Sequence, residues 1–438
     1  MLKRLNQNIK TVPFGTLIES ISGGATPLRA KEEQYCDSGI KFLRIQNIKE
    51  TGFDFSDVKY ITEEVHENLL KRSQLSCNDL LMTITGRIGT CAVVDSTCLP
   101  ANINQHIVRI RLVDGIDSNF AAAYLNSKLG NLLSNRGVTG TTRIALDYES
   151  IKKIPFPIID NPKQIELVEN LEEQFAKINE KIKKADNLIA ISKKQLFEGL
   201  GIDLPPFVPT IFSCAKSKEL LSMGWYCNSH SFYLDDVFRR IKESSYYAGT
   251  LEDYAYINPS INKSSLTDST PVSFVPMNAV SEKTNSATYE LTEYSNVKTG
   301  FTPFQKNDLL WAKITPCMQN GKSFFADNLP TQYGFASTEF HVIRAKRDDI
   351  YMPFLWCILS NDSILEAAQG MFSGSAGQQR VSETFLKKLP IALPSIEVQK
   401  ELADNVMNAL KKSKKLRNEA EQDWIAAKAQ FEKELLGE

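Results

Sequence analysis

Two long stretches of the chain carry hydrophobic residues at alternating steps of three and four. Val168, Leu171, Phe175, Ile178, Ile182, Ala185, Ile189 and Leu196 form the first stripe. Leu402, Val406, Ala409, Ser413, Leu416, Ala420, Ala427 and Phe431 form the second, with smaller side chains. This is the heptad pattern of a coiled coil, and it predicts two helices of about 38 residues, each running roughly 57 Å. Neither helix is stable alone in water, so each must bury its stripe against something. A proline-marked exit, IPFPIIDNPKQ or LPIALPSIEVQK, precedes each one. Gly199-Leu200-Gly201 and the segment Leu204-Pro205-Pro206-Phe207-Val208-Pro209 stop the first helix.

The rest of the chain repeats itself once. Asn78-Asp79-Leu80-Leu81 recurs as Asn307-Asp308-Leu309-Leu310, each closing a polar turn and opening an apolar run that reads as a buried strand. The heptapeptide FLRIQNI starting at Phe42 parallels FVPMNAV starting at Phe274, and His106-Ile107-Val108-Arg109 falls near His341-Val342-Ile343-Arg344. Ile151-Lys152-Lys153-Ile154-Pro155 matches Leu386-Lys387-Lys388-Leu389-Pro390. Spacings between these anchors drift by a few residues, so insertions belong in loops on a common framework.

Two repeated halves with equivalent helices imply an α+β fold with two globular domains in a pseudo-two-fold repeat, separated by the two long helices packed as an antiparallel coiled coil. The expected division is a first globular domain over residues 1–160, a spacer helix over 161–200, a linker over 201–213, a second globular domain over 214–395 and a second spacer helix over 396–438. The lysine runs at 181–184 and 411–415 read as solvated helix faces, with a partner or phosphate contact as the sharper alternative.

At 438 residues, 42% hydrophobic and 24% charged, the chain is an ordinary globular one, too long for a single core. No run approaches the ~20 apolar residues of a membrane span, and no apolar core of a signal peptide follows MLKRLNQNIK. The expectation is a soluble cytoplasmic protein without membrane contact. Eight cysteines are scattered with no C-x-x-C pair, which predicts reduced thiols. A net charge of −1 excludes bulk electrostatic coating of nucleic acid but leaves room for a local basic groove.

Several chemistries fail on their own motifs. Gly321-Lys322-Ser323 imitates the end of a phosphate loop, but Pro316 stands where that loop needs a glycine. Leu204-Pro205-Pro206-Phe207 lacks the polar residue that an amino-methyltransferase places before its prolines. No H-E-x-x-H, G-x-S-x-G or nuclease-type carboxylate cluster occurs, and His106 and His341 read as structural histidines beside strands. No catalytic residue, metal ligand or cofactor is expected.

The blocks SGGATP at 22–27, residues 40–48, NDLLMTITGRIG at 78–89 and NINQH at 102–106 give the first half a family resemblance. LLWAKITPCMQNGK at 309–322, STEF at 337–340 and GSAGQQRV at 374–381 do so for the second. In this order, twice, each followed by a long helix, they resemble the specificity (S) subunit of a type I restriction-modification system. Ala25 interrupts the usual Gly-Gly-Thr-Pro run, and Asn161-Pro162-Lys163-Gln164 replaces the usual Pro-Pro-x-x-Glu-Gln lead into the helix.

The resemblance implies that each globular half is a target recognition domain reading one part of a split, asymmetric sequence in double-stranded DNA. The helices then act as a ruler and dock two methyltransferase subunits. Restriction and translocase functions sit in further subunits, and this chain is not itself an enzyme. Bases are best discriminated by Arg or Lys on guanine and Asn or Gln on adenine, while Ser, Thr and Gly let backbone approach phosphate. The candidates in the first half are Thr26, Arg29, Arg44, Gln46, Asn47, Thr85, Arg87, Gln105, Thr141, Thr142 and Arg143. In the second half they are Asn278, Lys313, Thr315, Gln319, Asn320, Lys322, Ser375, Gln378, Gln379 and Arg380. Two other readings stay open: a coiled-coil scaffold whose repeated domains bind protein, and a specificity module serving another type of defence complex.

Overall fold

In the computed structural model the apolar runs after Asn78-Asp79 and Asn307-Asp308 are the strands Leu80–Thr83 and Leu309–Ala312, each inside a four-stranded sheet. Residues 9–27, 34–36, 38–136, 138–139, 145–208, 229–374 and 378–437 are described. The chain divides into two units, Met1–Lys183 with Leu416–Glu438, and Lys184–Lys415. Each unit thus holds one globular half and a portion of both long helices.

In the first unit one sheet runs in the order Ile18–Gly23, Ile107–Leu112, Leu80–Thr83, Cys91–Val93, antiparallel throughout. Successive side chains leave a strand on opposite faces. Leu80 and Met82 accordingly join a core with Phe14, Phe120, Tyr124 and Phe156. Leu81 joins another with Leu43, Ile48 and Ile103. Burial on both faces is why the run reads as continuously apolar. A second sheet has the order Ala101–Ile103, Ile40–Leu43, Lys59–Ile61, Tyr35–Cys36, its first pair parallel.

The second unit repeats the first sheet as Ala255–Ile257, Phe340–Ala345, Leu309–Ala312, Ser323–Phe325. Leu309 and Trp311 face one core and Leu310 and Ala312 another. Its second sheet shares three strands with the first unit: Tyr333–Ala336 parallel to Pro271–Val275, which pairs antiparallel with Glu290–Glu293. The fourth strand, Thr302–Gln305, joins beside Tyr333–Ala336, whereas Tyr35–Cys36 joins at the opposite edge in the first unit. A single bridge, Gln74 to Asn102, occupies the corresponding edge there.

The repeat extends to side chains. Asn78 and Asn307 both take left-handed backbone, φ 67° and 68°, a conformation that asparagine tolerates better than most residues. The next residues, Asp79 and Asp308, are buried at 2% and 1% exposure. Each accepts from an arginine Nε at 2.7 Å, Arg111 and Arg344 respectively. Each also accepts a backbone N–H three residues back at 2.8 Å, from Ser76 and Gln305.

This register corrects one expected alignment. Ile110 lies opposite Leu80 and Ile343 opposite Leu309, so Arg111 corresponds to Arg344, His106 to Glu339 and Val108 to His341. The sequence pairing of His106 with His341 is off by two positions, because the His-x-x-Arg pattern recurs at a shifted place on the strand. A conserved bond fixes the point: Ile84 N donates to His106 O at 3.0 Å, and Lys313 N to Glu339 O at 2.9 Å.

The long helices span Asn161–Gly199 and Ile396–Leu436. In the first stripe Val168, Leu171, Ile178 and Leu196 are buried, and Phe175, Ile182 and Ile189 are half-buried. In the second, Val406 and Phe431 are buried, and Leu402 and Leu416 are half-buried. Within the first unit Asn170 meets Glu434, Phe175 packs at a tilt against Trp424 at 3.9 Å between centroids, and Lys181 bonds Asp423. As one helix advances the other retreats, so these portions are antiparallel. Within the second unit Leu196 and Ile189 share a core with Leu402, Val406 and Leu410.

Each helix start is clamped by a glutamine. Gln164 and Gln399 are each 1% exposed. Gln164 accepts from Asp117 N at 2.9 Å and donates to Gly115 O and Ile159 O. Gln399 accepts from Tyr351 N at 2.9 Å and donates to Asp349 O and Pro394 O. The first helix closes as the Gly199-Leu200-Gly201 reading expects: Gly201 has φ 66°, its N–H donates to Glu198 O, and Ile202 N donates to Phe197 O. Residues 209–228, with part of the expected linker, lie outside the described residues.

Candidate nucleic-acid interface

In the second unit three distant motifs converge where the central strands end. Lys313 and Thr315 follow the strand Leu309–Ala312, Glu339 precedes Phe340–Ala345, and Gln379 and Arg380 come from the segment after the short helices. Thr315 N donates to Gln379 O at 2.9 Å, Gln379 N donates to Thr315 Oγ1 at 3.2 Å, and Val381 N donates to Lys313 O at 2.9 Å. The Arg380 guanidinium takes the Glu339 carboxylate in a fork, Nε to Oε2 at 2.9 Å and Nη2 to Oε1 at 2.8 Å. That bond holds the Glu339 carboxyl below its ordinary range. Two residues on from Glu339, His341 is 4% exposed. His341 Nε2–H donates to Val381 O at 2.9 Å, which leaves Nδ1 to accept from Asn258. Burial lowers its pKa, favouring the neutral ring.

Among the described residues, the corresponding rim of the first unit is a polar chain without an ion pair. Thr26 Oγ1 donates to Gln105 Oε1, Gln105 Nε2 meets His106 Nε2 at 3.2 Å, and His106 Nδ1 meets Thr85 Oγ1 at 2.9 Å. Thr85 bridges Ala145 as Ile314 bridges Arg380. Ala145 therefore stands where the second unit has Arg380. Thr26 and Gln105 are exposed, and Thr85 and His106 half-buried.

Of the other sequence candidates, Gln378 touches the cluster of the second unit, its backbone carbonyl accepting from Arg380 Nη1 at 3.0 Å. Arg44 and Gln46 both engage Asp57, Arg44 at 3.0 Å and Gln46 at 3.2 Å. Asn47, 1% exposed, accepts from Arg44 N at 2.9 Å and donates to Asp54 O at 2.9 Å. Both ends of its amide are used in the fold, which removes it as a reader of bases in this conformation. Gln46 and Asn278 take the same place in matching single turns, Ile45–Asn47 and Met277–Ala279, and both are exposed. Arg87 is exposed. Gln319 donates to Gln369, Asn320 to Glu282 and Lys322 to Met277 O. Gln378 is exposed. Arg29, Thr141, Thr142, Arg143 and Ser375 lie outside the described residues.

The family model for the type I restriction modification DNA specificity domain matches residues 6–187 and again 232–422. The chain belongs to that family. The specificity subunit of the type I restriction enzyme EcoAI from Escherichia coli is 35% identical over 154 residues, 35% of this chain and 26% of that protein. The EcoEI specificity subunit, also from Escherichia coli, is 34% identical over 146 residues, 33% of this chain and 24% of that protein. These matches span about a quarter of each curated relative. The crystal structure of the type I restriction-modification system S subunit from M. genitalium aligns with 98% of this chain and 97% of that one at 14% identity, with a TM-score of 0.39.

The two matched segments of this specificity-domain chain bear out the repeat and the resemblance read from the sequence. Among the described residues no helix is long and apolar enough to cross a membrane, and no group of three or more His, Cys, Asp or Glu residues could hold a metal ion. Sequence reasoning missed Glu339, which lies 41 positions before its partner Arg380. It also read His106 only as a structural residue, whereas the structure sets it between two candidates, Thr85 and Gln105. The glutamate of the STEF block was the available signal, since a half-buried carboxylate beside a strand needs a cation.

Proposed function

We propose that this chain is the DNA-sequence specificity subunit of a type I restriction-modification complex, and that each unit reads one part of a split, asymmetric target. The observation that carries the reading is the family match in both halves, laid over two rims that share a frame and differ in chemistry. A Thr-Gln-His-Thr chain and a Lys-Thr-Glu-Gln-Arg cluster present different donors and acceptors, so the two parts of the target differ in sequence. On this reading the target recognition domains are residues 1–160 and 214–395, and the spacer helices 161–200 and 396–438. The long helices set the spacing between the half-sites and dock two methyltransferase subunits, with restriction and translocase subunits completing a cytoplasmic complex. The chain itself carries no catalytic residue and binds no cofactor. With a net charge of −1, it relies on its partners for much of the phosphate neutralisation.

Co-expression with the genomically adjacent methyltransferase, followed by single-molecule sequencing of adenine methylation in host DNA, tests this. One split motif that changes when either globular half is exchanged is the expected result. A stable complex that methylates nothing would overturn the reading in favour of a protein-binding scaffold.

A further inference from the structure

Arg380 is a cation held by several bonds at the rim of the second unit, and its surroundings specify what it can hold. Its backbone is pinned on both sides, by the bridge from Arg380 to Ile314 and by the Val381 N–H donating to Lys313 O at 2.9 Å. Its guanidinium spends Nε and one Nη2 hydrogen on Glu339, and one Nη1 hydrogen on Gln378 O at 3.0 Å. A guanidinium has five N–H donors in a rigid plane. Among the described residues, one N–H on each Nη therefore remains without a partner, a pair of coplanar donors on the two terminal nitrogens. The side chain is 41% exposed against 24% for Glu339, so the arginine head is the outer member of the pair.

Resting on the specificity-subunit reading, we propose that Arg380 reads a guanine in the half-site of the second unit, and that Glu339 is the positioning residue that orients it. Guanine offers two acceptors, O6 and N7, on its major-groove edge, and paired arginine donors match them. The alternative, a phosphate contact, fits the electrostatics poorly. Arg380 and Glu339 together carry no net charge, so the pair releases few counterions, while its fixed plane suits a planar base edge. The first unit has His106 and Ala145 at these two positions, so its half-site lacks this guanine contact.

The test is selection of randomised duplexes by the full chain with its methyltransferase partner, read by sequencing, for wild type and four variants. Wild type is expected to select a guanine at one position of the half-site that follows the second unit. Arg380→Ala should lower the preference at that position by about five- to a hundredfold and leave the other half-site intact, which also shows that the variant is folded. Arg380→Lys, a point charge, should retain only part of it. Glu339→Ala should weaken preference at the same position, and Glu339→Gln should restore part of the loss, a rescue that a merely structural role would not give. An unchanged motif in Arg380→Ala overturns the assignment. So does a uniform loss across all sequences with a salt slope shallower by about one, the signature of a phosphate contact. A wild-type motif without guanine in that half-site overturns the assignment alone, whereas no selected motif from the wild type overturns the specificity-subunit reading with it.

Discussion

The two units agree where their residues hold the fold and differ where their residues face outward. The Asn-Asp turn, the aspartate–arginine pair and the glutamine at the helix start recur with nearly the same distances. The rim residues do not recur: His106 faces Glu339 in the alignment, and Ala145 faces Arg380. Even the second sheet gains its fourth strand at opposite edges. A duplicated frame that tolerates exchange at its rim is suited to changing what is bound without changing how the domain folds.

The largest effect should come from the buried aspartates. Asp308→Ala leaves Arg344 without its partner, and loss of one member of a buried pair costs about 3–5 kcal/mol. Asp79→Ala should cost less. Arg111 is 39% exposed against 20% for Arg344, and its second bond to Asp79 is 3.4 Å where Arg344 has 2.7 Å. Calorimetric unfolding of the full chain with each variant measures this. Equal losses would show that the two pairs differ in the structure but not in energy.

The glutamine clamps come next. Gln164→Ala or Gln399→Ala strands one backbone N–H and two carbonyls, and the buried ones among them should cost about 2 kcal/mol in either unit. Urea unfolding of the two variants should give matching losses. A loss at only one helix start would break the equivalence of the two frames.

These paired residues also mark what the sequence could and could not say. The repeated turn, the Ile-Lys-Lys-Ile-Pro exit and the helix stripes were legible because each is local, its residues lying within one turn, strand or helix face. Val168, Leu171 and Ile178 are buried as the spacing requires. The strand register around His106 was not legible. Two His-x-x-Arg patterns look alike in sequence, but backbone hydrogen bonds to Ile84 and Lys313 decide which residues correspond. The rims were legible only as residue types. Thr315, Glu339 and Arg380 meet because loops of unlike length return three segments to one place, and no local pattern encodes that. Asn47 shows the converse: a residue of the right type for adenine is consumed by its own turn.

Acid should distinguish the units further, because His341 occupies the place that Val108 holds in the first. Burial lowers the His341 pKa from its ordinary 6.5. The unfolded chain therefore takes up the proton before the folded one does. Its contribution is complete above about pH 6.5 and declines as pH falls through that value, by at most about 1.4 kcal/mol per pH unit. His341→Val should flatten the loss between pH 6.5 and 5. Glu339, whose carboxyl pKa is lowered, loses its contribution only further down, as pH falls below about 4.5. Stability of wild type and variant across that range checks the sign, and an unaltered slope would remove His341 as the cause.

The smallest effect should be shared equally. Asn78 and Asn307 sit at φ 67° and 68°, where a side chain with a Cβ costs about 1–2 kcal/mol unless it bonds locally, as asparagine can. Replacement by alanine keeps the steric cost and loses the polar side chain, so each variant should lose about 1 kcal/mol. Replacement by glycine removes the steric cost and should change stability by only a few tenths of a kcal/mol, since the extra freedom of the unfolded chain opposes the gain. Because both turns precede a buried aspartate that accepts a backbone bond at 2.8 Å, the losses at Asn78 and Asn307 should agree within error. A clear difference would mean that the frame has diverged at its most regular point, and rim exchange between the units would then carry a stability cost of its own.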